Sequence, residues 1–320
     1  MTYDIYKNLT NIKIKLNMGC ESGKTVDSSN NSNTNNGYPM CKLTIPLTMD
    51  VDALTAISDN KIILGGIEEL QLFDGETKTI SQISKEHNGR INCLIKLSDG
   101  RLASGGQDNT IKIWDIEKKQ TIFTLKGHTS IIWDIREIEG NKLISASDDN
   151  KSKIWDLNQK KEICTLFSSH RHISAIAVLK NNRIILSSGR QVILFNLNTK
   201  QQESCLDIKK GVWSLKALSN GDVAAGLGNG SLYIIQVTDE LIIKTIFCKG
   251  HKKTINSIIE LDNHKIVTAS DENDLILWDP NEPESMFLIR GHTDFVTCLC
   301  FISGNRFASA SRDKTLKIWE

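Results

Sequence analysis

The sequence predicts an all-β fold, a single seven-bladed propeller, on three observations. Similar blocks recur at a near-constant step, each block holds four short apolar runs separated by polar turns, and no segment sustains the 3.6-residue period of a helix. The blocks SGGQDNTIKIWD (104–115), SASDDNKSKIWD (145–156), TASDENDLILWD (268–279) and SASRDKTLKIWE (309–320) are copies of one another, and weaker copies end in LQLFD, VILFN and LYIIQ. Marking each by its aromatic residue or its substitute gives Phe73, Trp114, Trp155, Phe195, Ile235, Trp278 and Trp319, at steps of 41, 41, 40, 40, 43 and 41 residues. These are seven units.

Within a unit, a first run such as CLIKL or DIREI meets a turn rich in Asn, Asp or Gly. A second run such as RLASGG or KLISAS follows, a third ends on the aromatic residue, and a fourth resembles QTIFTLKG or KEICTLFS. Four such strands form one small antiparallel sheet, which cannot bury both of its faces alone and has to pack on neighbours around an axis. Unit seven stops on its third strand at Trp319-Glu320, leaving an unpaired edge of the kind that invites aggregation. The run MCKLTIPLT (40–48) has no unit of its own and is expected to supply the missing strand, with Pro46 tolerated on an outer edge. The expected organisation is therefore a flexible Asn/Ser-rich tail over 1–39, holding a short strand over 12–16, followed by the propeller over 40–320.

The charge balance is nearly neutral, 39 Lys+Arg against 38 Asp+Glu, and 39% of residues are hydrophobic. That composition supplies a large core and shows no bias toward nucleic acid or an anionic membrane. No apolar run is long enough to span a bilayer, and the N-terminus lacks a signal-peptide pattern. The eight cysteines include no CxxC, and several sit in strand-like runs such as INCLIKL and VTCLCF. They read as reduced, buried thiols of an intracellular protein, cytoplasmic or nuclear, with no zinc or other metal site.

Two patterns imitate chemistry. GCESGKT (19–25) looks like a phosphate-binding loop, but only three residues separate Gly19 from Gly23 where four are needed. Nine consecutive Ser, Asn or Thr residues then occupy 28–36, where a helix N-terminus is required. Nucleotide binding is the remote reading. The second pattern is a Ser/His/Asp set: His87, Ser104, Asp108 and Trp114 recur at the same spacing as His128, Ser145, Asp149 and Trp155, and as His292, Ser309, Asp313 and Trp319. His251, Thr268, Glu272 and Trp278 make a fourth set. A catalytic triad occurs once per active site, so fourfold repetition points to a structural network: the hydroxyl accepts from the indole N–H, and imidazole and carboxylate complete the chain. No residue is assigned a catalytic role, and no cofactor is expected.

Trp-Asp pairs at 114–115, 155–156 and 278–279, with Gly-His pairs at 127–128, 250–251 and 291–292, resemble the WD40-repeat family over residues 40–320. The resemblance implies a non-catalytic scaffold or adaptor that binds proteins or peptides through its loop face, within a multiprotein complex. It places the contact positions on either side of the first apolar residue of each first strand, and just before the network acid. These are Asp50, Asp52, Arg90, Asn92, Gln107, Ile131, Trp133, Asp148, His172, Ser174, Trp213, Thr254, Asn256, Asp271, Phe295, Thr297 and Arg312. Arg90, Trp133, His172, Trp213, Phe295 and Arg312 are the leading partner-binding candidates, because Trp and Arg dominate interface energetics. Neighbouring Arg171, Lys209, Lys210, Lys252 and Lys253 favour an acidic or phosphorylated partner segment. An alternative is a substrate-receptor or adaptor subunit of a ubiquitin ligase. The string Trp133-Asp134-Ile135-Arg136 imitates a receptor motif, but it falls in a first strand and not at the end of a third.

Overall fold

The computed structural model describes residues 26–27, 38–238, 242–282 and 285–320. The GCESGKT stretch and the strand expected over 12–16 lie outside the described residues. Every regular element among the described residues is a β-strand. Two come before the first unit, β1 (Val26–Asp27) and β2 (Cys41–Pro46). One six-stranded sheet then holds β3 (Val51–Ser58), β4 (Lys61–Asp74), β5 (Thr79–Lys96), β6 (Leu102–Gly106), β7 (Thr110–Asp115) and β8 (Gln120–Lys126).

Three four-stranded sheets follow. The first holds β9 (Ile132–Ile138), β10 (Lys142–Ser147), β11 (Lys151–Asp156) and β12 (Lys161–Ser168), and the second β13 (Ile173–Val178), β14 (Arg183–Ser188), β15 (Gln191–Asn196) and β16 (Gln201–Asp207). The third holds β17 (Val212–Ala217), β18 (Val223–Leu227), β19 (Ser231–Val237) and β20 (Ile242–Lys249). A five-stranded sheet joins β1 to β21 (Ile255–Glu260), β22 (Ile266–Ser270), β23 (Leu275–Trp278) and β24 (Met286–Ile289). The last sheet joins β2 to β25 (Val296–Ser303), β26 (Arg306–Ser311) and β27 (Thr315–Trp319).

The all-β propeller expected from the repeats is present, but the seven sheets expected are six. The difference arises in units one and two. A straight 14-residue strand like β4 would run roughly 46 Å, yet its flanking residues meet, with Gly75 N–H donating to Asn60 O at 2.6 Å. β4 therefore doubles back on itself, and Glu68 takes the left-handed φ of 63° at the reversal. β5 then pairs with β4 through its first half and with β6 from Ile91 to Lys96, so one unbroken strand carries unit one into unit two. The merging lies in β5 alone, since unit four has an equally short second hairpin, RIILSSGRQVILF, and still forms its own sheet.

The two ends of the propeller share one sheet. β2 runs antiparallel to β27, with Leu43 opposite Ile318 and Ile45 opposite Leu316. Met40 and Glu320 exchange both backbone hydrogen bonds at 2.8 and 3.0 Å. On the neighbouring sheet β1 lies parallel to the outer strand β24, and Tyr38 stacks on Phe287 with ring centroids 4.1 Å apart. The N-terminal side of the propeller thus reaches β24 as well as β27.

The core is a ring of interfaces between successive sheets. Trp155 packs with Ala103, Ile111 and Leu125 of the preceding unit, and Trp319 with Leu275, Phe287 and Ile289. Each such indole buries roughly 150–250 Å², worth about 4–6 kcal/mol at about 25 cal/mol per Å². The first strand of each unit faces the central axis, so the polar residues on these strands line a channel.

Candidate functional site

The four repeated polar sets are assembled alike. Trp114 Nε1–H donates to Ser104 Oγ at 2.8 Å, His87 Nε2 lies 2.6 Å from the same oxygen, and His87 Nδ1 lies 2.8 Å from Asp108. The corresponding distances are 2.8, 2.6 and 2.7 Å for Trp155, Ser145, His128 and Asp149, and 2.8, 2.7 and 2.8 Å for Trp319, Ser309, His292 and Asp313. In the fourth set Trp278 donates to Thr268 at 2.8 Å, and His251 lies 2.9 Å from Thr268 and 3.0 Å from Glu272.

A neutral imidazole satisfies every atom in such a chain. The hydroxyl accepts from the indole and donates to Nε2, and Nδ1–H donates to the carboxylate. Burial pushes the His128 and His292 pKa values down, outweighing the pull of Asp149 and Asp313. Burial opposes ionisation of Asp108 too, but the hydrogen bonds from His87, the Asn88 N–H and Thr110 hold its carboxyl well below the usual range. Ser104, Ser145 and Ser309 are fully buried, so their hydroxyls do not face a solvent-borne substrate. Unit four lacks the chain: Ser187 Oγ sits 2.8 Å from Ser174 Oγ and accepts from the Ala175 N–H, while Phe195 fills the tryptophan slot.

A register shift recurs just after the first apolar residue of the first strand in units one to seven. The bulge leaves the next residue unpaired and re-aims its side chain. Asp52, Asn92, Trp133, Ser174, Trp213, Asn256 and Thr297 occupy this place and ring one mouth of the channel. Three of them stitch neighbouring units, donating to a backbone carbonyl of the next: Asn92 to Ile132, Ser174 to Val212 and Thr297 to Val51. Two are tied to the residue before the network acid, Trp133 Nε1–H to Asp148 at 2.7 Å and Asn256 to Asp271 at 2.8 Å.

Trp213 differs. In its unit the residue before the network position is Gly228, and a Cβ there would lie 2.9 Å from the indole nitrogen. The indole lies over the glycine, its N–H has no acceptor among the described residues, and the side chain is 41% exposed. His172 sits beside it, ring centroids 5.4 Å apart. Phe295 is also exposed, with the Lys253 ammonium 4.5 Å from its ring centroid. Arg171, Lys209, Lys210 and Lys252 are exposed in neighbouring loops.

Arg90 and Arg312 are placed otherwise. Asp52 accepts from both, at 2.7 Å from Arg90 and 2.5 Å from Arg312, and Asp50 lies 3.5 and 3.0 Å from them. Their charges are committed within the chain. The structure thus brings His172 and Trp213 together, ties Trp133 to its own unit, and pairs Arg90 with Arg312 through aspartates of unit one.

The channel as a whole, ring included, has a volume of about 540 Å³, and Lys96, Asp134, Arg136, Ala177, Lys216 and Cys300 line it as well. Asp134 is buried, accepts from the Ile176 N–H and lies 3.3 Å from Arg136, whose Nε–H donates to Ile176 O. Burial pushes the Asp134 carboxyl up and the Lys216 ammonium down. Arg136 and Lys216 were not among the sequence candidates. Their signal was a cation inside the apolar runs DIREI and SLKAL, at the same register position in units three and five. Among the described residues no cluster of His, Cys, Asp or Glu could hold a metal ion, and no helix is long and apolar enough to cross a membrane.

Comparison with known proteins agrees with this architecture. Residues 64–282 match the family described as the WDR41 β-propeller, and residues 283–320 match the WD domain, G-beta repeat. A p21-activated protein kinase-interacting protein 1-like protein of Danio rerio is 27% identical over 82% of this chain and 76% of its own length. WD repeat-containing protein 41 of Mus musculus is 26% identical over 22% of this chain, and a THO complex subunit 6 homolog of Danio rerio 33% identical over 21%. Those two matches span only 17% and 22% of the relatives' own lengths. The WD40 β-propeller domain of Doa1 superposes with a TM-score of 0.79 at 16% identity, covering 88% of this chain and 97% of that one, a likeness of fold.

Proposed function

The chain belongs to the WDR41 β-propeller family of WD40-repeat proteins, and from that premise we propose that it is a non-catalytic scaffold holding a partner protein across one channel mouth. The observation that carries this reading is Trp213: a large, exposed aromatic side chain with an unused N–H, standing over a glycine on a rigid sheet. Exposed Trp supplies both apolar area and a directional donor, the combination found at interface hot spots. Trp133, whose N–H is taken by Asp148, contributes area alone.

His172 and Phe295 extend the apolar surface, and Arg171, Lys209, Lys210, Lys252 and Lys253 surround it with positive charge. A partner segment with an acidic or phosphorylated stretch beside an apolar anchor fits that surface. Arg90 and Arg312, neutralised by Asp50 and Asp52, flank unit one, with Arg312 next to Phe295, and contribute shape more than charge. The name of the Danio rerio relative records an interaction with a protein kinase, a property of that protein that fits an interaction role here. A cytoplasmic or nuclear setting suits the free thiols.

The test is co-purification from the native cell with the full chain and a Trp213→Ala variant. The variant is expected to keep its melting temperature, because the side chain is exposed, and to lose its partner set. A normally folded variant with an unchanged partner set would remove this face from the function.

A further inference from the structure

Lys216 is the fifth residue of the first strand of unit five and lines the channel, where it is half-buried. Its ammonium makes no hydrogen bond or ion pair among the described residues. The acid whose charge acts on it, Glu260, makes no contact with it, and both its oxygens accept from Ser219, at 2.8 and 2.6 Å. Arg136 holds the same register position two units away, and the residue between them in unit four is Ala177, which leaves the space open. Lys96, on the same cavity wall, donates to Ile57 O at 2.8 Å.

Two carboxylates reach this cavity. Asp52 is committed to Arg90 and Arg312, and Asp134 lies beside Arg136. Three cations therefore line a channel of about 540 Å³ in which Asp134 is the one lining carboxylate left to them, while Glu260, outside the lining, acts on Lys216 from β21. A half-buried ammonium with no hydrogen-bond acceptor among the described residues is unfavourable, and the arrangement gains what it lacks when an anion enters.

We propose that the channel binds a small oxyanion of phosphate type between Arg136 and Lys216. Arg136 offers a planar fork and Lys216 a compact charge with three donors, the pairing suited to a tetrahedral oxyanion approached from two sides. The anion joins units three and five from the inside, across unit four, whose first strand packs on both.

Thermal melting of the full chain in sodium phosphate, against sodium chloride at equal ionic strength, tests the site. Phosphate is expected to raise Tm by several degrees, since a ligand bound only by the folded state stabilises it. Lys216→Met is expected to abolish the rise while melting no lower than the unaltered chain in phosphate-free buffer, because it removes an unpaired charge. Lys118→Met, at an exposed site, is expected to keep the full rise. Glycerol phosphate in place of inorganic phosphate separates a site for the free anion from one that also admits a phosphate monoester. An equal phosphate response in the chain and in Lys216→Met, or no response in either, overturns the proposal.

Discussion

Arg90 and Arg312, 222 positions apart in the chain, meet on the single carboxylate of Asp52, at 2.7 and 2.5 Å. Asp50 supports both from the other side. The Asp52 side chain is 13% exposed and the two guanidinium groups about 30%, so the cluster is only partly screened by water. Asp52→Ala leaves two guanidinium groups facing each other with one carboxylate fewer. A loss of about 1–3 kcal/mol of stability is expected, read from urea denaturation midpoints. Arg312→Ala, which leaves Asp52 paired with Arg90, is expected to cost less. Equal costs would show that the two arginines are not coupled through Asp52.

The buried histidines set the pH dependence. The pKa values of His128 and His292 are pushed below their ordinary 6.5 in the folded protein, so the unfolded chain binds the extra proton more readily. Their contribution to stability is complete above about pH 6.5 and erodes as pH falls below it. The carboxylates of Asp149 and Asp313 are held below their ordinary 3.8, and their contribution goes only as pH falls beneath that value. Urea midpoints are therefore expected to fall between pH 7.5 and 5.5, and to fall again in strong acid. His128→Gln is expected to be less stable at pH 7.5 yet to show a shallower fall; a flat profile in the unaltered chain would contradict the neutral-imidazole chain.

Much of this was legible in the sequence because each repeat carries its own physical requirement. The spacing of His128, Ser145, Asp149 and Trp155 is what four side chains need to meet across adjacent strands, and it can be read without coordinates. The sheet count was not legible, because it depends on whether β5 breaks between units one and two. KIILGGIEELQLF turns back without a loop, and β5 runs on from unit one into unit two. Nor was the difference between Trp133 and Trp213. Both follow the first apolar residue of a first strand, and what separates them is the facing residue fifteen positions on, Asp148 in one unit and Gly228 in the other. The commitment of Arg312 to Asp52 depends on a contact between residues 260 apart, which no local pattern reports.

Thiol chemistry should divide the described cysteines by depth. Cys93, Cys298 and Cys300 are buried, and burial raises their thiol pKa values, that of Cys300 to about 12. Little thiolate forms at these sites near neutral pH, and only a small fraction of each residue is exposed, toward the channel. Cys41 and Cys205 are exposed. Iodoacetamide at pH 8, followed by peptide mass spectrometry, is expected to label Cys41 and Cys205 in the folded protein and Cys93, Cys298 and Cys300 only after denaturation. Ready labelling of Cys298 in the folded state would contradict the packing of the first strands.

The contrast between Asp148 and Gly228 gives a test of the interaction face that leaves Trp213 in place. Asp148 and Asp271 occupy the position equivalent to Gly228 in units three and six, so this backbone site accepts a carboxylate. Gly228→Asp is expected to displace the indole slightly, since a Cβ there meets its nitrogen at 2.9 Å, and then to accept its N–H as Asp148 does for Trp133. The substitution also places a negative charge among Lys209, Lys210, Lys252 and Lys253. Both changes oppose an acidic partner. Affinity for the co-purified partner is expected to fall about tenfold or more, equivalent to about 1.4 kcal/mol, with Tm within a few degrees of the unaltered chain. Gly228→Asn offers the acceptor without the charge, so comparing the two variants divides the loss between the captured N–H and the altered field. Full affinity in Gly228→Asp would place the partner elsewhere on the propeller.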